Sequence, residues 1–186
     1  MIIVVAACTL FPASPADRDD PRGWTNAKWG MTVEQVISAF RGSKYRLVPI
    51  RAVDGAAMDG LLAIDGCVDL QIPKVMLEPP RCFHVWFGFT KTIPATLIHV
   101  DLKPDPPSSM SNTAAFIALR DMLTDKYGPP GYEKKSQPPE ALFFSDEIIW
   151  KFAETRIRLS LMDFALDSKN LFLSLQYFKA PSADNL

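Results

Sequence analysis

Residues 82–102 read CFHVWFGFTKTIPATLIHVDL and contain the pattern that decides the fold. Apolar residues alternate with other residue types on both sides of the segment 91–94. Successive side chains of a β-strand point to opposite faces, so this alternation is typical of a strand with one buried face. We therefore predict two antiparallel strands, 82–89 and 96–102, that form a hairpin through 91–94.

Matching the apolar faces of these strands predicts their register. The predicted pairs are Phe83 with Leu102, Val85 with Val100 and Phe87 with Ile98. The other face then carries His84 opposite Asp101 and Trp86 opposite His99. These two imidazoles and the carboxylate, with the neighbouring Cys82 thiol, could ligate zinc or copper. Alternatively, His84 and Asp101 could form an acid–base pair. The alternative is an ordinary solvent-facing cluster, which alternation alone produces.

The same period of two recurs along the rest of the chain. It predicts strands at 45–53, 61–65, 67–72, 142–144, 147–152, 156–162 and 171–178. In the strand from Arg156, apolar residues alternate with Arg156, Arg158 and Ser160. One face of the sheet should therefore pack while the other meets water.

Two helices interrupt these strands. Thr32 and Gln35 form a capping-box pattern that predicts a helix over 32–41, with Gly42 placed to end it. A longer apolar stripe at helical spacing predicts a second helix from Ser111 or Asn112 to Tyr127, because the segment GPP at 128–130 stops it.

The order of elements predicts an α+β fold built from two units, each a helix followed by an antiparallel meander, with the helices packed on one face of the sheet. The units are predicted at 17–103 and 111–180, joined by a Pro-rich seam at 104–110. Residues 1–16 would precede them as a signal segment, and 181–186 would follow as a tail.

Two motifs resemble those of small exported bacterial domains. Residues 29–36, WGMTVEQV, are similar to the Trp-Gly-Met-Ser/Thr-x-x-Glu/Gln-Val opening helix of a group that includes β-lactamase-inhibitor-protein-like modules and lipoproteins of the SmpA/OmlA type. Residues 123–130, LTDKYGPP, are similar to a helix ending in related proteins. The resemblance implies a helix packed on an antiparallel sheet and an activity in binding rather than catalysis. It carries over no binding residue.

The N-terminus is typical of an export signal. The uncharged run from Ile2 to Phe11 is followed by small residues up to Ala16 and then by charged residues. A second interpretation is a lipoprotein signal that anchors the chain through Cys8, and a third is a buried first strand. We therefore expect a periplasmic or secreted protein, bound to a membrane only if Cys8 is lipidated.

Cys67 and Cys82 remain if Cys8 is removed or lipidated. Both alternate with inward-facing residues of their strands, so they point outward and could form a cross-strand disulfide in an oxidising compartment. A pair of free thiols is the alternative.

The last predicted strand presents a candidate contact surface. Phe172 and Phe178 share one face with Ser174 and Gln176, and an uncovered aromatic patch of this kind favours a protein partner. Arg156 and Arg158, with Lys151, predict a neighbouring basic stripe. The alternative for the aromatic residues is that they fill the core. The basic stripe is either solvated or an anion site.

Composition and motifs limit the classes of function. Lys and Arg number 20 and Asp and Glu 21, so the formal net charge of -1 gives no field that would attract nucleic acid. The sequence contains no phosphate-binding loop, CxxC pair, HExxH or Gly-x-Ser-x-Gly motif. We therefore predict a non-catalytic binding module without a cofactor, such as an inhibitor, an immunity-like protein or an assembly accessory, with an unidentified protein partner. The competing hypothesis is an enzyme or metal-binding protein that uses His84, His99 and Asp101.

Overall fold

The computed structural model describes residues 19–50, 61–72, 82–105, 109–134, 143–164 and 171–181. The predicted signal segment, with Cys8 and Ala16, lies outside these residues, as does most of the predicted tail. Among the helices of the described residues, none combines the length and apolar character needed to cross a membrane.

The described residues form ten strands and two helices. In chain order these are β1 (Gly23–Trp24), β2 (Ala27–Lys28), α1 (Val33–Ala39), β3 (Leu47–Ile50), β4 (Leu61–Ile64), β5 (Cys82–Phe89), β6 (Leu97–Asp105), α2 (Ser109–Tyr127), β7 (Tyr132–Lys134), β8 (Phe143–Lys151), β9 (Thr155–Phe164) and β10 (Leu171–Lys179).

One antiparallel sheet dominates the molecule, and the predicted α+β class is therefore wrong. Eight strands lie side by side in the order β3-β4-β5-β6-β10-β9-β8-β7, while β1 and β2 form a separate small hairpin. The last strands of the two predicted units, β6 and β10, pair with each other over His99–Leu102. Backbone hydrogen bonding thus continues from one unit into the next. The chain is mostly β, and its two helices are minor elements.

The core lies on one face of the sheet, here called the inner face. Phe83, Val85 and Phe87 of β5 are fully buried there, and so are Ile157 and Leu159 of β9. Both helices and the β1–β2 hairpin cover this face, because Trp24, Phe40, Leu119 and Leu123 belong to the same core cluster. Burying this continuous apolar surface is the main stabilising contribution to the fold.

The start of α1 and the ends of both helices follow the signals that the sequence indicates. The Thr32 side chain accepts a hydrogen bond from the Gln35 backbone N–H while the Gln35 side chain accepts one from the Thr32 N–H, which confirms the capping box. Gly42 adopts a left-handed conformation after α1, with φ of 77°. Helix α2 begins at Ser109, earlier than predicted, and ends at Tyr127.

The predicted register of the β5–β6 hairpin was wrong by two residues. Val85 lies opposite Leu102, and the structure pairs His84 with Lys103 and Trp86 with Asp101. A bulge accounts for one of these two residues: Gly88 pairs with His99 but Phe89 pairs with Leu97, so Ile98 is an extra residue. Leu97 enters the core, while Ile98 is 37% exposed. Because side chains alternate with a period of two, a register shift of two residues leaves all the remaining side chains of β5 and β6 on their predicted faces.

Other element boundaries also differ from the prediction. Within the predicted strand 67–72 only Val68 makes a bridge, to Phe83. The predicted strands 142–144 and 147–152 are parts of the single strand β8, and the strands β1, β2 and β7 were not predicted. Strand β6 continues through Pro104 into the predicted seam. Proline has no backbone N–H to donate to a neighbouring strand. It is tolerated at Pro104 because β10 pairs only with His99–Leu102, so Pro104 has β5 as its one neighbouring strand.

A polar clasp ties the N-terminal segment to the β8–β9 turn. The Asp20 carboxylate accepts hydrogen bonds from Thr155 Oγ1 at 2.6 Å and from the Glu154 backbone N–H at 2.6 Å. Trp29 Nε1 donates to Thr155 Oγ1 at 2.8 Å. The start of the first unit is therefore fastened to the second unit as well as to its own strands.

Candidate functional site

The outer face of the sheet, opposite the helices, carries all six residues of the predicted contact surface. Phe172, Ser174, Gln176 and Phe178 follow each other along β10, and Arg156 and Arg158 lie beside them on β9. Phe172 is 46% exposed, whereas Ser174 is buried. The structure thus brings these residues together on one face, and it adds residues of β5, β6 and β8 to them.

Phe178 lies between His99 on β6 and Arg158 on β9. The His99 and Phe178 rings stack with their centroids 4.7 Å apart and an angle of 8° between their planes. The Arg158 guanidinium carbon lies 5.1 Å from the centre of the Phe178 ring, a cation–π distance. Arg158 also donates through Nε to Gln176 Oε1 at 2.8 Å. Its other contact is Glu147, 3.7 Å away. These contacts hold the guanidinium and the ring in fixed positions.

A second cluster surrounds Asp101 on β6. Ser174 Oγ donates to Asp101 Oδ1 at 2.9 Å, and Lys103 Nζ lies 3.3 Å from Asp101 Oδ2. Lys103 Nζ also lies 5.4 Å from the centre of the Trp86 ring. The buried carboxylate is therefore satisfied by a hydroxyl and a cation, as a buried charge requires. This cluster continues the outer face from β10 to β5.

The surroundings of His99 disfavour the protonated form of its imidazole. Burial lowers the pKa of His99; Asp101 acts against that, while the charges of Arg158 and Lys103 lower the pKa further. The Nε2 atom of His99 is buried and has no hydrogen-bond partner among the described residues. Its ring contributes to the outer face mainly by stacking on Phe178.

The three residues predicted as metal ligands have separate partners. His84 places Nε2 3.2 Å from Asp105 Oδ2 and Nδ1 3.2 Å from the carbonyl oxygen of Gly66. His99 stacks on Phe178, and Asp101 binds Ser174 and Lys103. Within the described ranges, no three side chains of His, Cys, Asp or Glu are grouped to hold a metal ion. The predicted site depended on the register that the bulge shifts.

Cys67 and Cys82 form a disulfide. Cys82 is the first residue of β5, and Cys67 follows β4 in a loop whose next residue, Val68, makes a bridge to Phe83. The bond fixes this loop beside the start of β5, next to the His84–Asp105 pair.

Sequence reasoning did not include Lys103 and Glu147 among the candidate site residues. Lys103 was omitted because Pro104 indicated that the strand ended at Leu102. Glu147 lies opposite Ser160 and reaches Arg158, which required the pairing of β8 with β9. Lys103 could have been found from the sequence, because it follows His99 and Asp101 at a spacing of two and so lies on the same face of the strand. No signal in the sequence alone indicated Glu147.

Comparison of the chain with protein-family models, with curated proteins and with solved structures finds no match. The function must therefore be argued from the site itself.

Proposed function

We propose that this chain is an exported protein-binding module that uses the outer face of its sheet as the contact surface. The observation that carries the proposal is the fixed Arg158–Phe178–His99 stack on strands that no described helix covers. Arginine and aromatic side chains dominate the binding energy of protein interfaces. Side chains that are already ordered lose little entropy on binding, so this arrangement favours association.

The surroundings of the stack support the same function. The same face carries two further aromatic side chains, Trp86 on β5 and Phe172 near the start of β10. Lys103, Arg156 and Gln176 supply polar groups between and beside these rings. A mixture of aromatic anchors and polar residues is typical of a non-obligate protein interface. It is less suited to small-molecule catalysis, which needs convergent groups in a concave pocket.

Photocrosslinking tests the contact surface. A photoreactive amino acid replaces Arg156 on the outer face in one variant and Ile117 of α2, which is 43% exposed, in the matched control. Each variant is expressed in the source organism and irradiated. We expect a discrete protein adduct from position 156 and none from position 117. Adducts from position 117 alone, or none from several outer-face positions, would contradict the proposal.

The proposed location outside the cytoplasm rests on two observations. The segment 1–16 has the character of an export signal, and the Cys67–Cys82 disulfide suits an oxidising compartment. Mass spectrometry of the protein isolated separately from the envelope and cytoplasmic fractions of the source organism tests this location. We expect a chain cleaved after Ala16, or one that carries lipid on Cys8. An unprocessed chain recovered from the cytoplasm would contradict export.

A further inference from the structure

The outer face contains two neighbouring cations that have no counterion among the described residues. Lys151 on β8 and Arg156 on β9 lie directly opposite each other, and both are exposed. Like charges that face each other across antiparallel strands repel and destabilise the pair. Among the described residues, no carboxylate lies within ion-pair distance of either side chain; the nearby Glu154 pairs with Arg22.

Phe178 connects this pair with the stack. Arg156 has two neighbours across its strand, Lys151 on β8 and Phe178 on β10. Arg158 approaches the same ring from β9. Arg158 therefore contacts the ring, Arg156 lies directly across the strand pair from it, and Lys151 lies one strand further away. Of these three cations, Arg158 alone has a carboxylate partner among the described residues, Glu147.

We propose that the Lys151–Arg156–Phe178 corner of the outer face binds an acidic segment of a protein partner, with two or more carboxylates placed around an apolar side chain. This inference rests on the proposed function and specifies the chemistry of the partner. Carboxylates would pair with Lys151 and Arg156 and remove the repulsion between them. Arg156 can donate two parallel N–H hydrogen bonds to one carboxylate. The apolar side chain would cover the exposed part of Phe178.

The charge of the whole chain favours a protein partner over a polyanion. A nucleic acid or an anionic membrane is bound through many phosphate contacts and a broad positive field. This corner offers only a few cations, and the formal net charge of the chain is -1. A short acidic protein segment matches the extent of the patch.

The test uses a displayed library of random peptides as the probe, selected on the immobilised full chain at low salt. The charge variant carries Lys151→Thr and Arg156→Thr, because threonine suits a strand. The matched control carries Arg41→Ser and Lys44→Ser, which removes the same charge near the end of α1, away from the outer face. A third variant, Phe178→Ala, removes the ring at the centre of the corner.

We expect selected peptides to be enriched in Asp and Glu and to bind the charge variant at least tenfold more weakly than the natural chain, with the control unchanged. Their affinity should also fall as salt is added. The charge variant should keep a Tm equal to or above that of the natural chain at low salt, because the repulsion is removed.

Two results would overturn parts of the argument separately. Peptides that lose binding to Phe178→Ala but show no acidic enrichment, and bind the charge variant normally, would refute the acidic partner and leave the proposed contact face intact. Peptides indifferent to both Phe178→Ala and the charge variant, or a selection that yields none, would refute both.

Discussion

At the scale of single residues, His99 combines burial with a position on the outer face. Its pKa is lowered mainly by burial, so the folded chain binds a proton at this ring less readily than the unfolded chain does. The unfolded chain therefore takes up the proton first as the pH decreases. The contribution of His99 to stability is lost progressively from about pH 6.5 down to the folded-state pKa.

Nuclear magnetic resonance measures this effect directly. The chain contains two histidines, so His84→Gln leaves only the His99 ring signal. We expect its titration midpoint to lie below about 6.5, the ordinary value for histidine. The slope of unfolding free energy against pH in this window should disappear when His99→Gln is added. A midpoint at or above the ordinary value would contradict the lowered pKa of the buried, stacked ring.

Asp20 gives a pH dependence in a lower range. Burial raises the pKa of Asp20, but hydrogen bonds from Thr155, Glu154 and Arg22, together with the Arg22 charge, outweigh burial and place the pKa below its ordinary value. Its stabilising contribution is therefore present above about pH 4 and lost as the pH falls through the folded-state pKa.

Substitution of Asp20 by Asn should lower the unfolding free energy at pH 7 by about 1–2 kcal/mol. The side-chain amide of asparagine has only one oxygen, and its nitrogen cannot accept a hydrogen bond. The variant therefore loses the hydrogen bond from the Glu154 N–H or the one from Thr155, according to which way the amide is turned. Urea unfolding measures the change, with the exposed neighbour Asp19→Asn as the control. The difference between Asp20→Asn and the natural chain should shrink towards pH 2. A difference that persists unchanged at that pH would show that the clasp does not depend on the carboxylate charge.

At the scale of elements, the disulfide fixes the start of β5 against the loop after β4. The two cysteines are 15 residues apart in sequence, so the bond should stabilise the chain by about 3 kcal/mol. Comparing urea unfolding of the natural chain with that of Cys67→Ser/Cys82→Ser measures this contribution. Reductant should lower the free energy of unfolding of the natural chain and leave that of the double variant unchanged. Two reactive thiols in oxidised, denatured Cys8→Ser protein would refute the bond.

The same elements show how far sequence reasoning reaches. The faces of β5, β9 and β10 were predictable, because alternation assigns Val85, Ile157 and Leu175 to the core without knowledge of their neighbours. The register of β5 against β6 was not, since the bulge opposite Gly88 depends on how Leu97 packs in three dimensions. The outer-face residues of single strands were therefore predicted, whereas the contacts between strands, such as Lys103 with Trp86, were not.

At the scale of the whole molecule, continuity of the sheet decides how the chain unfolds. Leu175 of β10 is buried and lies opposite Leu102 of β6 and Leu159 of β9, so it links the two predicted units. Units that share one core and one hydrogen-bonded sheet should unfold in a single cooperative transition. Units with only a weak contact between them would unfold separately.

Leu175→Ala tests this cooperativity by damaging the junction from the side of the second unit. We expect a loss of about 2–5 kcal/mol, because the substitution leaves a cavity between β6 and β9. Amide hydrogen exchange should then accelerate by more than about tenfold in the slowest amides of both β5 and β8, since each of these exchanges only when the whole sheet opens. Leu175→Met, which preserves most of the volume, serves as the control and should cost less than about 1.5 kcal/mol. Faster exchange in β8 with unchanged protection in β5 would show that the β6–β10 junction does not couple the two units.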